Sequence, residues 1–188
     1  MKILTLNNSE VEKSCILLSE KIHSAGFNPD LVIGIKNGGY NLAEVFVRVN
    51  PDKNYLLKGC KITRPLSKLK KKIIHKSISF LPIKILDFLR ILEANLTFKR
   101  KSRKKIEKIE IQPLMGHYRN ILIIDDAVDS GATLNIVYNK VKEYTSNCNI
   151  KTAVITVTSC NPSFMPDFYL FNNSTLVRFP WSIDAIKK

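Results

Sequence analysis

Residues 119–141, RNILIIDDAVDSGATLNIVYNKV, restrict the possible fold more than any other stretch of the chain. Ile121 to Ile124 run without a polar break into Asp125 and Asp126, and Asp129 follows three positions later. A strand that is apolar on both faces suits the centre of a parallel sheet, where helices cover both sides. Carboxylates at its end fall where open parallel sheets bind ligands, beyond the strand C-termini. The segment from Ser130 to Thr133 then turns into a helix expected over 133–145, with Leu134, Val137, Val141 and Tyr144 on one face.

The same alternation recurs along the chain. Val11, Cys15, Leu18 and Ile22 predict a helix over 9–26, started by Ser9 and ended by Gly26. The stretch 29–39, PDLVIGIKNGG, reads as a short apolar strand entering a Gly-Gly turn, and a helix follows over 41–49. Strands are expected over 54–63 and 150–159. Together these predict an α/β fold: an open, mostly parallel sheet flanked by helices. The 188 residues, 45% of them hydrophobic, suit a single domain spanning 1–188.

Charge divides the chain unevenly. Residues 53–108 hold 18 Lys/Arg against 3 Asp/Glu, whereas the remainder holds 12 against 13, so the net charge of +14 comes from one segment. Residues 64–105 interrupt the strand–helix alternation. They read as a basic helical insertion in which Leu81, Ile85, Phe88, Leu92 and Leu96 share one face, between the clusters KLKKK and KRKSRKK. Three roles are open to it: a lid or subunit contact, a nucleic-acid surface that weakens with salt, or, less favoured, attachment to an anionic membrane. No apolar run is long enough to span a bilayer. The first residues, MKILTLNNSEVEKS, lack the apolar core of a secretion signal. The four cysteines show no CxxC and no histidine at ligand spacing, so the expectation is a cytoplasmic protein with reduced cysteines.

The acidic motif has a chemistry of its own. Main-chain N–H groups between Ser130 and Thr133, at the positive end of a helix, would cradle a phosphate. Gly131 would let backbone come close, and Ser130 and Thr133 add hydroxyls. Acids beside such a cradle would repel a bare phosphate. They make sense when they hold ribose hydroxyls or Mg²⁺ on the same ligand, and the residues therefore point to a sugar phosphate.

ILIIDDAVDSGATL resembles the phosphoribosyl pyrophosphate signature of the type I phosphoribosyltransferases. The resemblance implies that Asp125 and Asp126 bind the ribose 2′- and 3′-hydroxyls with the help of Mg²⁺. It implies that Asp129, Ser130, Gly131, Ala132 and Thr133 hold the 5′-phosphate. Asp129 would also be the catalytic base or acid at the nucleobase ring nitrogen. DLVIGIKNGGYNLA, residues 30–43, is similar to the family's pyrophosphate loop, which implies that Lys36, Asn37, Gly38 and Gly39 wrap pyrophosphate with main-chain amides. Asn37 stands where many members carry arginine.

PDFYLFNNSTLVRFPWS, residues 166–182, looks like the tail of the xanthine–guanine branch, which ends in a similar Pro-Trp. In that branch an aromatic residue five positions before the tryptophan stacks on the purine. Leu176 occupies that position here, with Val177 beside it, and these two are the base-contact candidates. TSCNPS, residues 158–163, lacks the lysine that reads the purine 6-oxo group in that branch. Trp181 is read as packing the tail against the core. The resemblance thus implies transfer of phosphoribose from phosphoribosyl pyrophosphate to a purine-like acceptor, in a protein of a kind that often forms homodimers. A second reading keeps nucleotide binding, drops catalysis and assigns the basic insertion to nucleic acid.

Overall fold

The computed structural model describes residues 2–63, 108–114, 116–145, 147–172, 175–182 and 185. The expected insertion over 64–105 lies outside the described residues. Two strands dominate the centre: β2 (Leu31–Ile35), buried at every position, and β5 (Asn120–Val128), buried from Ile121 to Ile124. They pair in parallel, Leu31 opposite Ile121 and Gly34 opposite Ile124. The main sheet has the order β4–β3–β2–β5–β6–β7. Here β3 is Leu56–Thr63, β4 Lys108–Ile111, β6 Asn149–Val157 and β7 Phe168–Phe171. Every pairing is parallel except β3 with β4. A second, two-stranded parallel sheet joins β1 (Lys2–Thr5) to β8 (Thr175–Arg178).

Side chains alternate across the sheet with the period of two that extended backbone imposes. Val32, Leu122, Ile124, Ala153 and Ile155 face one layer, which contains helices α1 (Asn8–Ser24) and α2 (Gly38–Arg48). Ile33, Ile35, Ile121, Ile123 and Val154 face the other, against α3 (Ala132–Tyr144). Each helix contributes the stripe its periodicity predicts: Val11, Cys15, Leu18 and Ile22 from α1, and Leu134, Val137 and Val141 from α3. Tyr144, expected on that stripe, is the last residue of the helix and is 60% exposed. Full burial of an aliphatic side chain contributes about 1.5–3 kcal/mol, so these two layers are the main source of stability.

Helix boundaries differ from expectation in instructive ways. Helix α1 is capped by Asn7, not Ser9: Asn7 Oδ1 accepts from the Glu10 N–H at 3.0 Å, and Glu10 Oε2 accepts from the Asn7 N–H at 2.7 Å. This reciprocal box satisfies two otherwise unpaired donors, which a serine cap at position 9 would not. The helix ends as expected at Gly26, whose φ of +76° lets Gly26 N–H reach His23 O and Phe27 N–H reach Ile22 O. Helix α2 begins at Gly38, three residues before the expected start, so the Gly-Gly pair forms its first turn.

Candidate functional site

The strand order changes direction between β2 and β5. The chain leaves β2 toward β3 on one side, and β5 continues toward β6 on the other. In open parallel sheets this switch point leaves a crevice beyond the strand C-termini, because the following connections diverge. Both sequence motifs empty into it. Lys36 to Gly39 follow β2 directly, and Asp125 and Asp126 lie in the last half of β5.

The two motifs are in contact. A Cβ on Gly39 would lie 2.6 Å from Asp125 Oδ1, 2.7 Å from Asp125 Cα and 2.8 Å from Ile124 O. A Cβ on Gly38 would overlap the Asp126 carboxylate at Oδ2. Only glycine at both positions lets the first turn of α2 lie against the acidic pair. Asp125 Oδ1 accepts from the Asp126 N–H at 3.0 Å, and both aspartates are half-buried. Cys60, on β3, is buried, and its thiol is pushed up to about 12, first by burial and then by the charge of Asp125.

Lys36 is exposed and its ammonium rests 5.0 Å over the Tyr40 ring. Its backbone N–H donates to Cys60 O at 2.7 Å, and the Lys36–Asn37 peptide is cis. Among the described residues no carboxylate pairs with Lys36, which leaves its charge available to an anion. Asn37 is the N-cap of α2 but makes no side-chain cap hydrogen bond. The contrast with the fully boxed start of α1 suits a helix end whose amides face a ligand.

At the other motif, Asp129 and Ser130 are exposed and Thr133 is half-buried. Ala132 opens α3 after Gly131, which is the N-cap at φ +79°. Ser130 Oγ reaches the Ala132 N–H only at 3.4 Å. Glycine at 131 has a structural reason beside the expected one. Its missing Cβ makes room for the Phe164 backbone, which a side chain at 131 would overlap. Ser163 completes that contact by donating to Ser130 O from both its N–H, at 2.8 Å, and its hydroxyl, at 2.7 Å. The loop after β6 therefore braces the candidate phosphate turn.

The tail carries the base-contact candidates and the tryptophan. Leu176 and Val177 lie in β8 at 8% and 4% exposure, covered by protein, which leaves little of either surface for a nucleobase. In β8 they lie opposite Ile3 and Leu4 of β1, and Val177 belongs to the core layer of α1 and α2. Trp181 does pack, stacked on Phe179 with ring centroids 5.1 Å apart, but it also donates from Nε1 to Asp126 Oδ2 at 3.1 Å. Tyr40, Phe164 and Trp181 are thus site neighbours to which the motifs assigned no role. Tyr40 and Trp181 lie within the quoted stretches 30–43 and 166–182, whereas nothing local marked Phe164.

Solved structures share this fold over nearly the whole chain. A purine phosphoribosyltransferase from Pyrococcus horikoshii Ot3 superposes with a TM-score of 0.63 at 22% identity, covering 100% of this chain and 99% of that one. The xanthine-guanine-hypoxanthine phosphoribosyltransferase of Helicobacter pylori gives 0.65 at 15% identity, covering 97% and 95%. The chain has the type I phosphoribosyltransferase fold. A hypothetical protein from Neisseria gonorrhoeae with bound ppGpp is also similar in fold, with a TM-score of 0.58 at 14% identity, covering 96% and 89%. No family sequence model and no curated protein sequence matches the chain. Among the described residues, no helix is long and apolar enough to cross a membrane.

Proposed function

We propose that this protein transfers a 5-phosphoribosyl group from phosphoribosyl pyrophosphate to a ring nitrogen of a purine-like acceptor, releasing pyrophosphate. The observation that carries the reading is the packing of Gly38 and Gly39 against Asp126 and Asp125 at the switch point of the sheet. A loop suited to pyrophosphate and a pair of acids suited to ribose then meet in one crevice, as a substrate joining those two parts requires. The likeness to purine phosphoribosyltransferases supports the same class.

Each group has a task in that reaction. Asp125 and Asp126 accept hydrogen bonds from the ribose hydroxyls and orient the anomeric carbon. The turn from Asp129 to Thr133, at the N-terminus of α3, holds the 5′-phosphate. Lys36 and the amides from Asn37 to Gly39 hold the pyrophosphate and stabilise the charge it gains as its bond to the anomeric carbon breaks. The acceptor nitrogen forms the new bond to that carbon and loses its proton to Asp129. Holding donor and acceptor in register contributes as much as any charge, because a two-molecule step becomes effectively one-molecule.

Mg²⁺ fits this donor set in a limited way. Among the described residues no group of three His, Cys, Asp or Glu side chains could cage an ion. Asp125 and Asp126 alone suit a cation that takes its other ligands from substrate oxygens and water, as Mg²⁺ commonly does. When bound, it would neutralise the leaving pyrophosphate.

The decisive assay is release of pyrophosphate from phosphoribosyl pyrophosphate with Mg²⁺ and a panel of purine bases. Wild type should release it, and the double substitution Asp125→Asn, Asp126→Asn should lower the rate at least a hundredfold. Activity that survives this pair of changes would contradict the assignment.

A second reading has specific support. The Neisseria gonorrhoeae neighbour carries ppGpp, and Asn37 replaces the arginine many phosphoribosyltransferases use at that position. On this reading the same crevice binds a guanine nucleotide without catalysis, and the basic composition of 64–105 serves nucleic acid. Tight ppGpp binding without pyrophosphate release, together with RNA or DNA binding that falls steeply with salt, would favour it.

A further inference from the structure

We propose that Trp181 is a positioning residue for the sugar-phosphate site, acting through Asp126. The inference rests on the reading of the crevice given above and adds the C-terminal tail to it. Three segments distant in sequence meet at one carboxylate oxygen. The Trp181 indole N–H donates to Asp126 Oδ2 at 3.1 Å. The missing Cβ of Gly38 would overlap that same oxygen and lie 3.0 Å from the indole nitrogen. The candidate pyrophosphate loop, the candidate ribose acid and the tail are therefore in mutual contact.

The indole is held from behind. It stacks on Phe179 with an interplanar angle of 5°, and Phe179 is 3% exposed. The turn that carries both rings is closed by two hydrogen bonds: Ser182 N–H donates to Phe179 O at 2.9 Å, and Phe179 N–H donates to Ser182 Oγ at 3.0 Å. The strand before it is anchored to the N-terminal strand, since Leu6 N–H donates to Arg178 O at 2.9 Å and the buried Arg178 guanidinium donates to Thr5 Oγ1 at 3.1 Å. A stacked ring on a closed turn is a rigid donor.

Rigidity matters because of what the donor is. A neutral N–H can fix a carboxylate without cancelling its charge, as a lysine or arginine would. No salt bridge neutralises Asp126 among the described residues. The indole commits one oxygen and leaves the other to accept a ligand hydroxyl. It thereby sets the carboxylate's rotation before the ligand arrives, which lowers the ordering cost of binding.

Trp181 is the only tryptophan, so the wild-type protein reports on its own contact. The test titrates the full chain with phosphoribosyl pyrophosphate and Mg²⁺, reading heat and indole emission in parallel. Both should saturate with one dissociation constant. Trp181→Phe, which keeps a ring to stack and removes only the donor, should weaken calorimetric binding about tenfold, as expected for a hydrogen bond to a charged group. In an Asp126→Ala background, Trp181→Phe should change nothing further. If Trp181→Phe folds and binds as wild type, or if the two losses simply multiply, the inference is overturned while the reading of the crevice stands. Should the variant not fold, wild-type emission unmoved by saturating ligand overturns it equally. Absence of any calorimetric binding to wild type overturns the crevice reading and this inference together.

Discussion

Gly39 and Asp125 approach so closely that a Cβ at position 39 would come within 2.7 Å of the aspartate's Cα. The obstacle is main chain in a buried strand, so no rotamer change relieves it. Gly39→Ala should force the start of α2 away from β5. The expected result is a loss of about 1–3 kcal/mol in denaturant unfolding, typical of overpacking, with ligand binding weakened at least tenfold. Binding lost out of proportion to stability would separate a displaced loop from a merely loosened fold.

Gly131 is constrained twice, by a φ of +79° and by the Phe164 carbonyl in the space of its missing side chain. The left-handed conformation alone costs a non-glycine residue about 1–2 kcal/mol. Gly131→Ala should therefore destabilise by more than that and lower the melting temperature by several degrees, read by circular dichroism. The damage should be greatest at the phosphate end: affinity for ribose 5-phosphate should fall more than affinity for pyrophosphate, measured by competition.

Asn7 tests the start of α1 in isolation from the crevice. Asn7→Ala removes the acceptor for Glu10 N–H and breaks the box. Unfolding free energy should drop by about 1 kcal/mol, while ligand affinity stays unchanged.

The buried thiols give the protein an alkaline signature. Cys15 and Cys60 are each pushed up to about 12, chiefly by burial, from an ordinary 9.0. A raised folded-state value means the unfolded chain releases these protons first. The stabilisation is complete below pH 9 and is lost as pH climbs toward 12, by about 1.4 kcal/mol per pH unit for each thiol. Denaturant melts between pH 8 and 11 should show this slope, and Cys15→Ala should reduce it. At pH 8 iodoacetamide should modify the exposed Cys160 in the native protein and reach Cys15 and Cys60 only after unfolding.

What could be read beforehand follows from what leaves a local pattern. Strands β2 and β5 were legible because both faces are covered, which demands an unbroken apolar run. Helices α1 and α3 were legible because each buries a single stripe. Strands β1, β4, β7 and β8 are four residues long and too short for periodicity to register. The crevice was legible as two separate motifs, but their contact was not, since Gly38 meets Asp126 only once the sheet is assembled. The tie between Trp181 and Asp126 joins positions 55 apart, and no spacing rule links them. Leu176 and Val177 were placed by counting back from the tryptophan. Counting cannot anticipate that β8 finds β1 and takes both side chains under cover.

The pairing of Lys2–Thr5 with Thr175–Arg178 also imposes an order in time. On the ribosome, β1 emerges long before its partner and must wait until residues 175–178 are synthesised. Trp181 follows only after them, so Asp126 receives its donor after every strand of the main sheet has been made. Translation would thus deliver the strands of the main sheet before it delivers a finished crevice, and a nascent chain stalled short of residue 175 should hold ligand more weakly than the full chain.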